Sequence, residues 1–447
     1  MALSQRGLQW AMQADNLLIW RITKDLWHPD QHASGVVSLG IAENSLMHAE
    51  LTNYISNNLH ISEEMLTYGD GAGGREILRQ ALARFLTRQF TPAIPLTAEH
   101  ICITNGVSSA VEHLSSVLAD PGDIFLLGKP YFGGFLNSIG LRTGTVVVPV
   151  SFGDVDPLSM EAVEVYESAI KRCICMSKKV AALVLCHPHN PLGRCYSRQT
   201  LKGWMRLCAK YSIHLISDEI YALSVFQVGE QVFAHSDNSS EEVFISLCAI
   251  EPTGIIDPSL VHVVYGLSKD FGANGLRIGC IISQNNVNLH RALVPPAVYS
   301  YASSISEVAA AKLLNDDLFI DWYLVENRKR LKQKYDKIVT WAEHHHIQYQ
   351  KGVNAAFFLW IKLGPMFKEM SQRKGNLSTN PTSVENLDTL IQNALLAKRV
   401  FLVSGANCGN DAEGWFRIVF SQADHNIKEG LRRIESVLGL LHKDGVP

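Results

Sequence analysis

A chain of 447 residues exceeds what one hydrophobic core ordinarily serves, so two packed units are expected. With 47% hydrophobic and 19% charged residues, the composition is that of a folded globular protein and excludes a disordered or fibrous one. The net charge of −3 gives no electrostatic reason for a nucleic-acid or anionic-membrane partner, and no apolar run reaches the roughly 18–20 residues of a bilayer span.

At the start, Arg6, Gln13, Asp15, Arg21 and Lys24 interrupt the apolar positions, which reads as an amphipathic arm and not a signal peptide. The nine cysteines are scattered, and the closest pair, Cys173 and Cys175, is C-x-C. Reduced thiols in a cytoplasmic protein without a metal site are expected. Gly69-Asp70-Gly71-Ala72-Gly73-Gly74 satisfies the dinucleotide pattern G-x-G-x-x-G. Glu64–Tyr68 before it is too short and polar for a buried strand, so a turn before a helix is the reading. A nicotinamide-dependent oxidoreductase stays as the alternative of another class.

Ile77, Leu78, Ala81, Leu82 and Phe85 recur at helical spacing, predicting a helix to Phe90. Strands are expected at 101–104 and 123–127, with a helix from Ser108 to Leu118 between them. Further strands at 180–185, 213–216 and 261–265 are apolar over most of their length, as in a sheet covered on both faces. Their alternation with helices implies βαβ crossovers and a mainly parallel sheet. Beyond residue 300 a long polar helix from Asp317 to about His344 precedes strand patterns at 357–361 and 415–419. These predict a smaller α+β unit completed by the N-terminal arm. The expected boundaries are 1–60 for the arm and part of the small domain, 61–300 for the large domain and 301–447 for the small one. Ser371–Ser383 reads as a surface loop and His344-His345-His346 as a solvated helix end, because consecutive helical residues point apart.

In an open parallel sheet, ligands sit outside the carboxyl ends of the strands. Asn105-Gly106-Val107-Ser108 follows the first strand and Lys129-Pro130-Tyr131-Phe132 the second. His187-Pro188-His189-Asn190-Pro191-Leu192-Gly193 and Ser217-Asp218-Glu219-Ile220-Tyr221 follow the next two, and Gly266-Leu267-Ser268-Lys269 the last, with Arg277 eight residues on. Asp218 read alone could be a helix N-cap, and Arg417 alone a structural ion pair.

Asn190-Pro191-x-Gly193, Asp218-x-x-Tyr221 and Ser268-Lys269 with Arg277, in that order, resemble the fold type I pyridoxal-phosphate (PLP) enzymes of the class I and II aminotransferase family. The resemblance implies an α/β protein: a mostly parallel sheet of the seven-stranded type flanked by helices, with a smaller α+β domain. It implies PLP as cofactor, with Lys269 forming the Schiff base, Asp218 facing the ring nitrogen, and Asn190 and Tyr221 serving the ring oxygen. Val107, Ser108, Ser268 and Arg277 are then the phosphate donors, and Phe132 the ring that stacks, Tyr131 being the other choice. Tyr68 matches a tyrosine that in relatives reaches across to the neighbouring subunit's phosphate, which implies a homodimer with a shared active site. Arg417 matches the arginine that grips the substrate carboxylate, and Asn190 and Tyr131 are implied to stand beside the substrate with it.

Gly40-Ile41-Ala42-Glu43-Asn44, Ala119–Asp123 and Leu267–Gly272 are similar to the 1-aminocyclopropane-1-carboxylate synthases. Those enzymes act on S-adenosylmethionine by Cα deprotonation and closure at Cγ. Glu43 is then placed beside the substrate and Lys269 is the general base. Plant members carry Tyr-Tyr-Pro-Gly-Phe followed by Asp-Arg-Asp, where this chain has Tyr131-Phe132-Gly133-Gly134-Phe135-Leu136-Asn137-Ser138. Transamination, and other elimination or substitution at Cγ, therefore stay open. A catalytically silent scaffold relative is disfavoured by the intact set of motif residues.

Overall fold

In the computed structural model, which describes residues 3–15, 17–226, 244–373 and 386–440, the alternating segments assemble around a seven-stranded sheet. Its strands are β1 (Ile101–Asn105), β2 (Ile124–Gly128), β3 (Val146–Val150), β4 (Val180–Cys186), β5 (His214–Asp218), β6 (Val261–Gly266) and β7 (Ile278–Ile282). The order is β1-β7-β6-β5-β4-β2-β3, and only β7 runs antiparallel to its neighbours. The expected α/β class with a mostly parallel sheet is thus the observed one.

Side chains alternate across each strand, so each strand feeds two apolar layers. Ile103, Leu126, Leu183, Leu215 and Val263 face one layer, while Phe125, Val184, Ile216, Val264 and Ile281 face the other. The first is covered by helix α1 (Glu76–Phe90) through Leu78, Leu82, Phe85 and Leu86. The second is covered by α2 (Val107–Leu118) and is continuous with a second core around β8 (Phe358–Lys362) and β9 (Trp415–Val419).

Two strands of the seven-stranded sheet carry no clear signal in the sequence. β3 is an edge strand with Pro149 and half-exposed valines, so it lacks an alternating burial signal. β7 is short and contains Gly279, which resembles a loop on composition alone. Gly279 is required where β7 passes the β1–α2 turn, since a Cβ there would lie 2.5 Å from the carbonyl carbon of Gly106.

β8 and β9 pair antiparallel in a four-stranded sheet with Val403–Ser404 and Gln348–Tyr349 at its edges. The N-terminal segment joins this region: Val37–Ser38 runs parallel to Val400–Phe401, and Leu39 accepts from Val419 N–H at 2.7 Å. Helix α3 (Asp317–His344) spans the distance between the two sheets and ends at the histidine run, of which His344 and His346 are exposed. Among the described residues no group of His, Cys, Asp or Glu is arranged to hold a metal, and no helix is long and apolar enough to cross a membrane. The glycine run at 69–74 follows a short 3-10 turn, Glu63–Leu66, and precedes α1, so the strand that a dinucleotide loop requires is not there. Of the expected loop 371–383, the first three residues close the helix Gly364–Arg373 and the rest lie outside the described residues.

Replacing Gly279 by alanine forces the β1–α2 turn and β7 apart. We expect a loss of about 1–3 kcal/mol in urea unfolding. A change below about 0.5 kcal/mol, the size of a neutral surface substitution, contradicts this packing.

Candidate active site

The parallel strands end on one edge of the sheet and β7 starts there, which gathers seven chain segments around a cavity of about 140 Å³. Val107 and Ser108 come from the start of α2, Asn190 from the loop after β4, and Asp218, Ile220 and Tyr221 from the end of β5. Ser268 and Lys269 come from the turn after β6, and Asn274 and Arg277 from the approach to β7. Phe132, Phe135 and Ser138 close one side, and Ala42 of the N-terminal segment another.

Lys269 sits on the four-residue helix Leu267–Asp270, and its Nζ donates to the Ala42 carbonyl at 2.5 Å. Burial, and next the nearby Arg417 charge, hold its amine down to about 8, while Glu43 and Asp218 act the other way. Asp218 is buried, with Oδ1 accepting from Ile220 N–H at 3.2 Å. Burial pushes its carboxyl up to about 7, opposed by that hydrogen bond and by Lys269. That backbone bond closes an Asx turn, and no helix starts within the described residues up to 226, so the helix N-cap reading of Asp218 does not hold and its place is in the cavity wall. Tyr221 is buried between the rings of Phe357 and Phe358, and burial raises its phenol well above the ordinary range.

Arg277 adopts φ +57°, unusual for a non-glycine residue, and donates to the carbonyls of Asn274 at 2.9 Å and Asn105 at 3.3 Å. Its guanidinium lies over Gly106, where a Cβ would come within 2.2 Å of Nη2. Gly106 has φ +79° and stands at the N-terminus of α2, so one position supplies the turn, the close approach and a helix end pointed at the cavity.

Arg417 lies in the middle of β9, opposite Trp360 of β8. It is buried, donating from Nη1 to Asn190 Oδ1 at 2.8 Å and from Nη2 to the Gly40 carbonyl at 2.7 Å. Its Nε is buried with no hydrogen-bond partner among the described residues. A buried cation satisfied only by neutral oxygens, with one donor idle, is a site for an anion.

The remaining sequence candidates fall differently. Phe132 reaches the cavity and packs edge-on against Phe135 at 5.5 Å, whereas Tyr131 is buried away from it against Gly409. Glu43 is exposed, though its charge is felt by Lys269. Tyr68 is 84% exposed and does not line this cavity within the single chain. Sequence reading missed Ala42 and Gly40 as partners of the two cations, since a backbone carbonyl leaves no side-chain signature. It also missed Ser138, Cys186 and Asn274 on the wall.

This donor set fits PLP. A desolvated amine suits its aldehyde, and a buried carboxyl can match a protonated ring nitrogen. An amide and a phenol suit the ring oxygen, and two hydroxyls, a guanidinium and a helix N-terminus suit a phosphate.

The depressed amine has a measurable sign. In the cofactor-free protein, acylation of Lys269 should rise through about pH 8, below the roughly 10.4 of a free lysine. Arg417→Gln removes a neighbouring positive charge that disfavours the protonated amine, so the midpoint should move up. Peptide-resolved mass spectrometry against pH reads both, and a midpoint that stays or falls contradicts the arrangement.

Comparison with known proteins gives one family. Residues 34–434 match the model of aminotransferase class I and II. A probable aminotransferase, sirI, of Leptosphaeria maculans is 30% identical over 94% of this chain and 95% of its own length. The 1-aminocyclopropane-1-carboxylate synthase 2 of Arabidopsis thaliana is 28% identical over 90% of this chain and 78% of its own. An aspartate aminotransferase double mutant of Thermus thermophilus aligns with TM-score 0.69 at 20% identity, covering 98% of this chain and 100% of its own, a likeness of fold. The chain belongs to the class I and II aminotransferases, a pyridoxal-phosphate-dependent family of enzymes.

Proposed function

We propose that the protein acts on an α-amino acid, with Arg417 holding the substrate carboxylate and Lys269 taking the Cα proton. The reaction then continues at Cγ, as in the 1-aminocyclopropane-1-carboxylate synthases, with S-adenosylmethionine as the reference substrate. The observation that carries this reading is a desolvated amine at Lys269, lowered to about 8, in one cavity with the buried carboxyl of Asp218.

When bound, PLP supplies an aldehyde that holds amines and a ring that takes up the electron pair left at Cα. Lys269 would hold the aldehyde carbon, Asp218 the ring nitrogen, and Asn190 and Tyr221 the ring oxygen. Val107, Ser108, Ser268 and Arg277 would hold the phosphate, and Phe132 would stack on the ring. Near neutrality a lysine of pKa about 8 keeps a useful neutral fraction, so Nζ can accept the Cα proton and return it. Arg417 offers two parallel N–H groups to a carboxylate, and the aromatic ring of Phe358, 5.0 Å away, backs the guanidinium.

Among the described residues that line the cavity, the cations are Lys269 and Arg277, both engaged by this scheme. Within one chain a second substrate carboxylate would find no further cation among these lining residues. Tyr68 and Glu43 complete the proposal: Tyr68 serves the phosphate of a second copy in a homodimer, and Glu43 stands at the mouth near the substrate. The segments 1–60 and 301–447 act as the smaller domain over the large one.

A second reading is transamination. It is favoured by Phe132, which has no hydroxyl where the ring-closing relatives carry a tyrosine, and by the absence of their charged run after Phe135. Release of methylthioadenosine from S-adenosylmethionine supports Cγ chemistry. Conversion of the cofactor to its amine form by an amino acid supports transamination instead.

Lys269→Ala should fold, lack the violet-edge absorption of the bound cofactor and lose turnover by a factor of a thousand or more, about 4 kcal/mol. Retention of that band with full turnover sinks the proposal. Arg417→Lys keeps the charge but loses the fork, so KM should rise by one to two orders of magnitude, roughly 1.4–2.8 kcal/mol. An unchanged KM removes Arg417 from the substrate site.

A further inference from the structure

We propose that Asp270 is the positioning residue for Lys269, its carboxylate tying the turn that carries the amine to the loop that carries Asp218 and Tyr221. This rests on the reading of Lys269 given above and adds a residue that touches neither cofactor nor substrate.

The turn Leu267–Asp270 is a single helical turn of four residues, too short to hold its own geometry. Lateral bonds must fix it. Lys269 reaches the cavity, and the next residue, Asp270, is fully buried behind it. Asp270 Oδ1 accepts from Ser224 Oγ at 2.6 Å, and Oδ2 accepts from Leu223 N–H at 3.0 Å and Tyr265 O–H at 3.1 Å. Leu223 and Ser224 lie two and three residues beyond Tyr221, and Tyr265 lies on β6. One carboxylate therefore joins β6, the Lys269 turn and the loop that follows Asp218.

The same point is held from behind by α3. Asn327 Nδ2 donates to the Asp270 carbonyl at 3.3 Å, and Arg328 Nε donates to the Leu223 carbonyl at 3.0 Å. Asn327 Oδ1 in turn accepts from Asn44 Nδ2 at 2.9 Å. Asn44 lies two residues past Ala42, whose carbonyl accepts from Lys269. The ring is closed: the amine and the carbonyl that receives it are fixed through one buried network. A fully satisfied buried network is rigid, and losing one acceptor leaves a donor unpaired in a dry core.

The test uses the full chain loaded with PLP and needs no substrate. Asp270→Asn keeps the volume but turns one acceptor oxygen toward a facing donor as an NH₂. The violet-edge absorption should persist, while visible circular dichroism per bound cofactor falls by about half or more, because the ring is no longer held in one pose. Release of the cofactor by hydroxylamine should quicken several-fold. Ser224→Ala, which deletes one hydroxyl, should change both in the same direction and less, and it decides the matter if Asp270→Asn does not fold. Visible dichroism and release rate equal to the unsubstituted protein overturn the proposal, whatever happens to the melting temperature. If the unsubstituted protein already lacks the band, the reading of Lys269 fails first and takes this proposal with it.

Discussion

Two ionisable groups of opposite sign, Lys269 and Asp218, share a cavity from which much of the water has been removed. Each is expensive to charge there, and burial moves the two toward each other, the amine down to about 8 and the carboxyl up to about 7. Near neutrality both therefore stand where a proton can move at small cost. The sheet exists to keep them so: β5 delivers Asp218 at its last residue, and β6 delivers Lys269 three residues after its end. The adjacent pairing of β5 with β6 then sets their relative position.

The remaining parts follow from what such a pair requires. Two arginines stand about the cavity by different routes: Arg277 lines it, and Arg417 reaches its wall through Asn190. Arg277 comes from a left-handed turn before the single antiparallel strand, over a glycine that leaves it room. Arg417 comes from the second sheet and meets Asn190 from the first. That bond joins the two sheets at the site, and the N-terminal segment crosses between them to offer the carbonyls of Gly40 and Ala42.

How much of this was legible depended on where each residue's signal lies. Asn190, Asp218 and Lys269 each follow, or nearly follow, an apolar run, so the rule that ligands gather at strand ends found their neighbourhood from periodicity, whereas Arg277 stands just before a strand and was found by its spacing from Lys269. Their roles came from the family resemblance and not from spacing. β3 and β7 escaped because one is an exposed edge with a proline and the other is broken by glycine. The parking carbonyls and the network behind Asp270 escaped for another reason. Most of these bonds join residues 46 to 377 positions apart, which only folding brings together. Tyr68 is the converse case, a residue with a clear sequence match that lies in solvent within one chain.

The most direct measurement of the central claim is to reduce the PLP-loaded protein with borohydride and map the modified peptide by mass spectrometry. The account predicts one pyridoxyl-phosphate adduct, on Lys269, at one per chain. An adduct on any other lysine, with Lys269 unmodified, would contradict it.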